Sequence, residues 1–209
     1  GLTPSYGEIL LARELLQIKL HVLIRPRAGD FTYDMYELKS MLKDIELCRK
    51  AGADGVVTGC LRNDGTVDVD TMNALMEAAE GMSVTFHRAF DLCSAPEQAL
   101  EDIIGLGCER VLTSGLSSTA EQGMDQIRKL QQQAAGRISI MAGAGINEHN
   151  IQRIAASTNV TEFHFSAGIK VESDFDARIN RVLLGASKCP AEHGLTISSE
   201  EKIRRIIAA

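Results

Sequence analysis

Six short apolar runs rich in branched residues recur along the chain, and their spacing limits the possible folds more than any other feature. They are IKLHVLI from Ile18, GVVTGC from Gly55, SVTFHRAF from Ser83, RVLTSG from Arg110, ISIMAG from Ile138 and EFHFSA from Glu162. Between them lie MYELKSMLKDIELCRKAGA, MNALMEAAEGM, EQALEDIIGLG and MDQIRKLQQQAAG, whose apolar residues repeat with helical period. Strands that are apolar on both faces and joined by helical crossovers require a parallel sheet covered by helices. A repeat of roughly 25 to 40 residues then predicts an α/β fold, a TIM-like (β/α) barrel. A doubly wound open sheet is the alternative, and it lacks the glycine fingerprint that follows a first strand in that fold.

A closed barrel of this type has eight strands. With six countable, the expectation is a barrel lacking its first two strands. GLTPSYGE reads as a loop in which Ser5 and Glu8 cap the helix EILLARELLQ, so the chain opens in mid-unit and the missing pair belongs upstream. Such a barrel leaves two sheet edges that invite pairing with another copy, which predicts a homo-oligomer. Capping-box spacing places helix starts at Ser94 with Glu97 and at Ser118 with Glu121. Asn147 is placed to cap the helix of Ile151 and Ile154, and Gly52, Gly81, Gly105 and Gly136 to close helices. Residues 1–209 are expected to form one barrel domain, on which about 169–209 pack as an extension. That extension carries a helical ARINRVLLG, a short LTIS and a closing helix begun by Ser198 and Glu201.

The chain is 44% hydrophobic and 24% charged, enough apolar content for a sizeable core, and its formal net charge is −6. That charge argues against nucleic acid or an anionic membrane as partner, so any anion site must be a local cluster. No apolar run is long enough to span a bilayer, and the first residues lack the order of a signal peptide. Cys48, Cys60, Cys93, Cys108 and Cys189 are scattered without a CxxC pair, which fits a reducing cytoplasm better than a disulfide framework.

Parallel barrels place function at the carboxyl ends of their strands. Those ends read RPRAGD, GCLRNDG, HRAFD, LTSG, MAGAGI and FHFSAG, and they gather Arg25, Arg27, Arg62, His87 and Arg88 in an otherwise acidic protein. Guanidinium groups suit bidentate recognition of carboxylate or phosphate. The competing reading is that they pair with Asp30, Asp64 and Asp91 to tie loops together, which is favoured for Arg62. Gly143, Gly145 and Gly168 stand where the last strands turn, as phosphate loops or simply as tight turns, and Ser114 with Gly115 carries the same alternatives. His87 with neighbouring Asp91 is the proton-transfer candidate, against a barrel-interior histidine. His164 is a second candidate. His21 reads as core, His149 as a helix start and His193 as tail. Cys60 and Cys93 alone among the thiols follow strand ends, as candidate ligands for a soft metal ion or as incidental loop cysteines.

Taken together, IRPRAGDF, GADGVV with DGTVD, TFHRAFD, RVLTSG and IMAGAGI resemble the CutC family in order and spacing over about residues 1 to 168, and the chain departs from the family after Ile169. The resemblance implies a TIM-like barrel and a cytoplasmic, often oligomeric protein of copper homeostasis that binds Cu(I). The residues matching the family's strand-end motifs are Arg25, Arg27, Asp30, His87, Arg88, Asp91, Ser114, Gly143 and Gly145. Cysteines proposed for copper in the family lie upstream of the first residue here. Residues and resemblance thus point in different directions, because clustered arginines repel a cation unless thiolates dominate locally. Two functions follow as expectations: copper handling, or a barrel enzyme acting on a small phosphorylated or carboxylated metabolite with His87 as acid/base. A non-catalytic scaffold is the third.

Overall fold

The computed structural model describes residues 1–172 and 194–209. The expected alternation is present throughout the first part: α1 (Tyr6–Leu15), β1 (His21–Leu23), α2 (Met35–Lys50), β2 (Gly55–Thr58), α3 (Val69–Ala78), β3 (Ser83–Phe86), α4 (Pro96–Gly105), β4 (Arg110–Thr113), α5 (Met124–Ala134), β5 (Ser139–Gly143), α6 (Ile151–Thr158) and β6 (Glu162–His164). A 3₁₀ turn, Arg88–Leu92, follows β3. All neighbouring strands pair parallel in the sequential order β1-β2-β3-β4-β5-β6. No strand order is reversed, so the sheet is a curled half-barrel and not the doubly wound alternative.

Side chains alternate across each strand, and the two faces of the sheet have different fates. Val22, Ile24, Val56, Val84, Phe86, Val111, Ile140 and Ala142 are buried in one core cluster with Met41, Ile45, Met72, Leu75, Leu100, Ile103, Ile127, Leu130 and Ile154 of the helices. Each of these side chains larger than alanine contributes about 1.5–3 kcal/mol on burial, so stability is concentrated between sheet and helices. The opposite parity, His21, Leu23, Val57, Thr85, Arg110, Leu112, Met141, Glu162 and His164, lines a cavity of ≈ 790 Å³ on the concave side.

The helix starts follow local chemistry more strictly than spacing alone anticipates. Ser5 and Glu8 form the expected capping box. Asp34 and Glu37 form another on α2. Ser94 does not cap α4: the helix starts at Pro96, whose fixed φ and missing N–H suit the first turn, and the Ser94 N–H donates to the Gly65 carbonyl. Ser118 does not cap α5 either, because the chain keeps turning until Gly123. Asn147 instead forms a turn ahead of α6, its side chain accepting from the His149 N–H, and Asn150 is the cap residue. Gly52, Gly81 and Gly136 adopt positive φ after their helices, while Gly107, not Gly105, does so after α4.

Beyond β6 the chain does not turn into another helix. Gly168–Glu172 (β7) pairs antiparallel with Gly194–Ser198 (β8), which contains the LTIS segment. The closing helix α7 (Glu200–Ala208) is capped by Ser199, one residue later than expected, through the Lys202 N–H. It buries Ile206 and reaches the α6 region through Arg205 to Glu148 and Gln152 to the Ala209 carbonyl. The expected helix ARINRVLLG, with Cys189 and His193, lies outside the described residues.

Candidate functional site

Four of the expected site residues, Arg25, His87, Arg88 and His164, converge on the concave cavity, where Phe31 joins them. The loop after β1 folds back so that the Arg25 guanidinium lies 4.6 Å from the Phe31 ring centroid, and Phe31 in turn stacks 4.7 Å from the His87 ring. Arg25 donates to the Gly1 and Gly29 carbonyls through its Nη atoms, leaving its buried Nε without a partner. His87 caps the 3₁₀ turn: its Nδ1 accepts the Ala89 N–H at 3.2 Å. Its Nε2 is buried with no partner among the described residues, and the residue is 5% exposed.

Burial pulls the His87 pKa down from the ordinary 6.5 to about 4, with Arg25 adding to the shift. The ring is therefore neutral near pH 7. The unfolded chain takes up a proton near 6.5 that the folded chain refuses until about 4, so stability is expected to fall as pH drops through that window, by roughly 2–3 kcal/mol from this group. Denaturation at pH 7 and pH 4.5 checks this, and His87→Phe should flatten the difference.

Arg88 is 43% exposed in its side chain and is held in place from behind. Its Nε donates to Asp91 at 2.7 Å and its Nη2 to Ser114 Oγ at 2.9 Å. Asp91 is not oriented toward His87. It sits 6% exposed between strand ends and accepts from Thr113 Oγ1 at 2.5 Å, from the Ser114 N–H at 3.0 Å and from the Leu116 N–H at 3.3 Å. Leu116 holds φ +57°, a conformation a branched residue adopts only when its surroundings impose it. Asp91 thus builds the loop that aims Arg88 and does not serve as the imidazole's proton partner.

The other arginines of the set are committed elsewhere. Arg27 donates to Glu37, Asp30 and the Thr32 carbonyl, which fixes the loop between β1 and α2. Arg62 pairs with Asp70 and Asp68. Gly143 and Gly145 do not line the cavity and have steric duties. A Cβ on Gly143 would fall 2.5 Å from Leu112 Cδ1, and Gly145 holds φ +77°. Gly168 opens the antiparallel β7 opposite Ser198, and its carbonyl accepts from Lys202 of α7.

Sequence reasoning missed a second polar group deeper in the cavity. Arg110 pairs with Glu162 across β4 and β6, and Ser139 donates to the same carboxylate. His21 shares this region; burial lowers its pKa, as does Arg110. The available signal was parity, since His21 and Arg110 stand two residues before Leu23 and Leu112. His164 lies on the edge strand, its pKa lowered by burial and then by Arg88.

The CutC family model matches residues 1–169. The chain belongs to the CutC family. A CutC family protein of Bacteroides thetaiotaomicron is 50% identical over 210 residues, covering 100% of this chain and 84% of the relative. One from Parabacteroides distasonis is 48% identical, covering 99% and 86%. The departure expected after Ile169 is therefore a departure from the family model and not from these relatives, whose alignments run through the C-terminal segment. A crystal structure of CutC from Streptococcus agalactiae superposes with a TM-score of 0.76 at 34% identity, covering 78% of this chain and 81% of that one. An aldolase superposes at TM-score 0.58 and 14% identity, which extends the likeness of fold alone.

Copper, which the family's name brings forward, finds little to hold it among the described side chains. Cys60 and Cys93 do not line the cavity. Both are buried, and burial pushes their pKa values up to about 12, with Asp68 adding to the first and Asp91 and Asp102 to the second. Cys93 Sγ already contacts the Ala89 carbonyl. Among the described residues no group of three or more His, Cys, Asp or Glu is arranged to hold a metal ion. Buried thiols that resist ionisation beside carboxylates, off the cavity wall, do not fit a Cu(I) centre.

Proposed function

We propose that the strand-end part of the concave face binds a small organic anion, phosphorylated or carboxylated, through Arg25 and Arg88. Arg88 carries this reading: Asp91 and Ser114 fix its position while it still lines the cavity. A guanidinium oriented before the ligand arrives loses less freedom on binding than a free one. Arg25 lines the same wall, its guanidinium stacked over Phe31. Arg88→Ala is expected to weaken binding of inorganic phosphate about tenfold, the worth of a charge-assisted hydrogen bond, measured by calorimetry at low salt. Arg27→Ala should leave it unchanged. Equal phosphate affinity in Arg88→Ala and the parent protein would sink the proposal.

A second reading rests on the relatives, since the Streptococcus agalactiae protein carries copper homeostasis in its name. On that reading the chain handles Cu(I) in the cytoplasm, where its free buried Cys48, Cys60, Cys93 and Cys108 remain thiols. Titration of Cu(I) against a competing chelator is expected to show no tight stoichiometric site that depends on Cys60 and Cys93. A tight site abolished in the Cys60→Ser, Cys93→Ser variant would reverse the order of the two readings. A homo-oligomer accompanies either one, and sedimentation over a range of concentrations measures it.

A further inference from the structure

Three buried polar atoms lack partners among the described residues: Arg25 Nε, Tyr33 Oη and His87 Nε2. An unpaired buried polar group is costly and calls for an explanation. His87 is the one whose chemistry can be followed furthest.

A backbone N–H can only donate, so the bond from Ala89 makes Nδ1 the acceptor. In the neutral ring the proton must then reside on Nε2. Packing on two sides holds this orientation. A Cβ at Gly59 of the neighbouring strand end would fall 2.7 Å from Nδ1 and 2.8 Å from Cε1, so only glycine admits the imidazole there. Phe31 covers the ring at 4.7 Å and Phe86 meets it edge-on at 6.1 Å. Among the described residues no carboxylate hydrogen-bonds the ring; burial and the nearby Arg25 oppose its protonation and outweigh the His87 backbone, which favours it. A flip of the ring would forfeit the Ala89 bond.

We propose that His87 is a neutral hydrogen-bond donor whose Nε2–H receives the carbonyl oxygen of a small 2-oxo carboxylate, the charged end of which is held by Arg25 and Arg88. The inference rests on the anion reading above and narrows its ligand class. A phosphate dianion is best met by charged donors, which the guanidiniums supply. An uncharged donor on a wall shared with Leu23, Val57, Leu112 and Met141 matches an uncharged acceptor oxygen. A fixed N–H at that position also stabilises negative charge developing on the same oxygen, without reorganising to do so. His87 is therefore placed to polarise a carbonyl and is not a general base in the free protein.

The test uses the full chain labelled with ¹⁵N, with pyruvate and propionate as matched ligands that differ at the 2-oxo oxygen. Two-bond correlations at pH 7 should show the Nε2–H tautomer of His87. Pyruvate should shift that resonance and bind about tenfold more tightly than propionate, the effect of one hydrogen bond. In His87→Phe the preference should fall to about one while propionate affinity changes less than twofold. His87→Gln, whose amide can still donate, should keep part of it. An Nδ1–H tautomer or an imidazolium at pH 7 would overturn the proposal without any ligand. Pyruvate and propionate bound equally well would also overturn it and leave the anion reading standing. Failure of pyruvate, propionate and inorganic phosphate alike to bind would remove both.

Discussion

Asp91→Ala is expected to destabilise the protein by about 4 kcal/mol, the range for breaking a buried charged network and stranding its partners. The carboxylate accepts from Thr113 Oγ1, from the Ser114 and Leu116 N–H groups and from Arg88 Nε, all within a site that solvent barely reaches. Alanine offers no acceptor to any of these donors, and water has little room to enter. Leu116 would lose the bond that holds its left-handed backbone, and Arg88 the group that orients it. Phosphate binding should fall together with stability. Asp91→Asn retains one acceptor oxygen and should lie between the two. Urea denaturation gives the measurement, and a loss below about 1 kcal/mol would show that the loop does not depend on this carboxylate.

Gly123→Ala should cost as much, about 4 kcal/mol or failure to fold, for a steric reason at the same loop. A Cβ on Gly123 would fall 1.9 Å from the Ser114 carbonyl oxygen and 2.9 Å from Gly115 Cα. Gly115 faces the same crossing from the other side, with φ +69°. Both partners are backbone, so no side chain can rotate away and the strand end carrying Ser114 has to move. Two further glycines calibrate the result. Gly81→Ala meets nothing within 4 Å but holds φ +84°, so it should cost about 1 kcal/mol. Gly105→Ala lies in open space within α4, without a positive φ, and should be neutral or stabilising by about 0.5–1 kcal/mol. Equal melting of Gly123→Ala and Gly105→Ala would refute the steric account.

The two predictions concern one loop, and they show why glycine at a strand end was ambiguous in the sequence. A glycine that cradles an anion and a glycine that lets two backbones cross are the same letter. Gly115, Gly123 and Gly143 proved to have steric work because of partners distant along the chain, namely Ser114 for Gly123 and Leu112 for Gly143. Charge was ambiguous for a similar reason. Arg27 and Arg88 both occupy strand-end motifs beside acidic residues. Arg27 is consumed by Glu37 and Asp30, whereas Asp91 leaves Arg88 facing the cavity. Helix starts misread from spacing, at Ser94 and Ser118, failed because Pro96 and the Gly115–Gly123 crossing fixed the backbone first.

What the sequence determined by itself is the half-barrel. Branched apolar runs at a regular interval, separated by helical periodicity, leave a parallel sheet with helices on one side as the way to bury both, and every expected strand is present. Position at the carboxyl ends of the strands also singled out Arg25 and His87, which line the concave cavity. Only the tertiary structure decided what those residues are. Desolvation keeps the His87 ring neutral near pH 7, the Ala89 N–H engages its Nδ1, and the bare Cα of Gly59 gives the ring its room. Asp91 became a loop organiser because Thr113, Ser114 and Leu116 surround it. Periodicity is a property of neighbours in the chain, and it survives in the sequence. Protonation, hydrogen-bond partnership and steric clearance are properties of neighbours in space, and they exist only once the strands have been brought together.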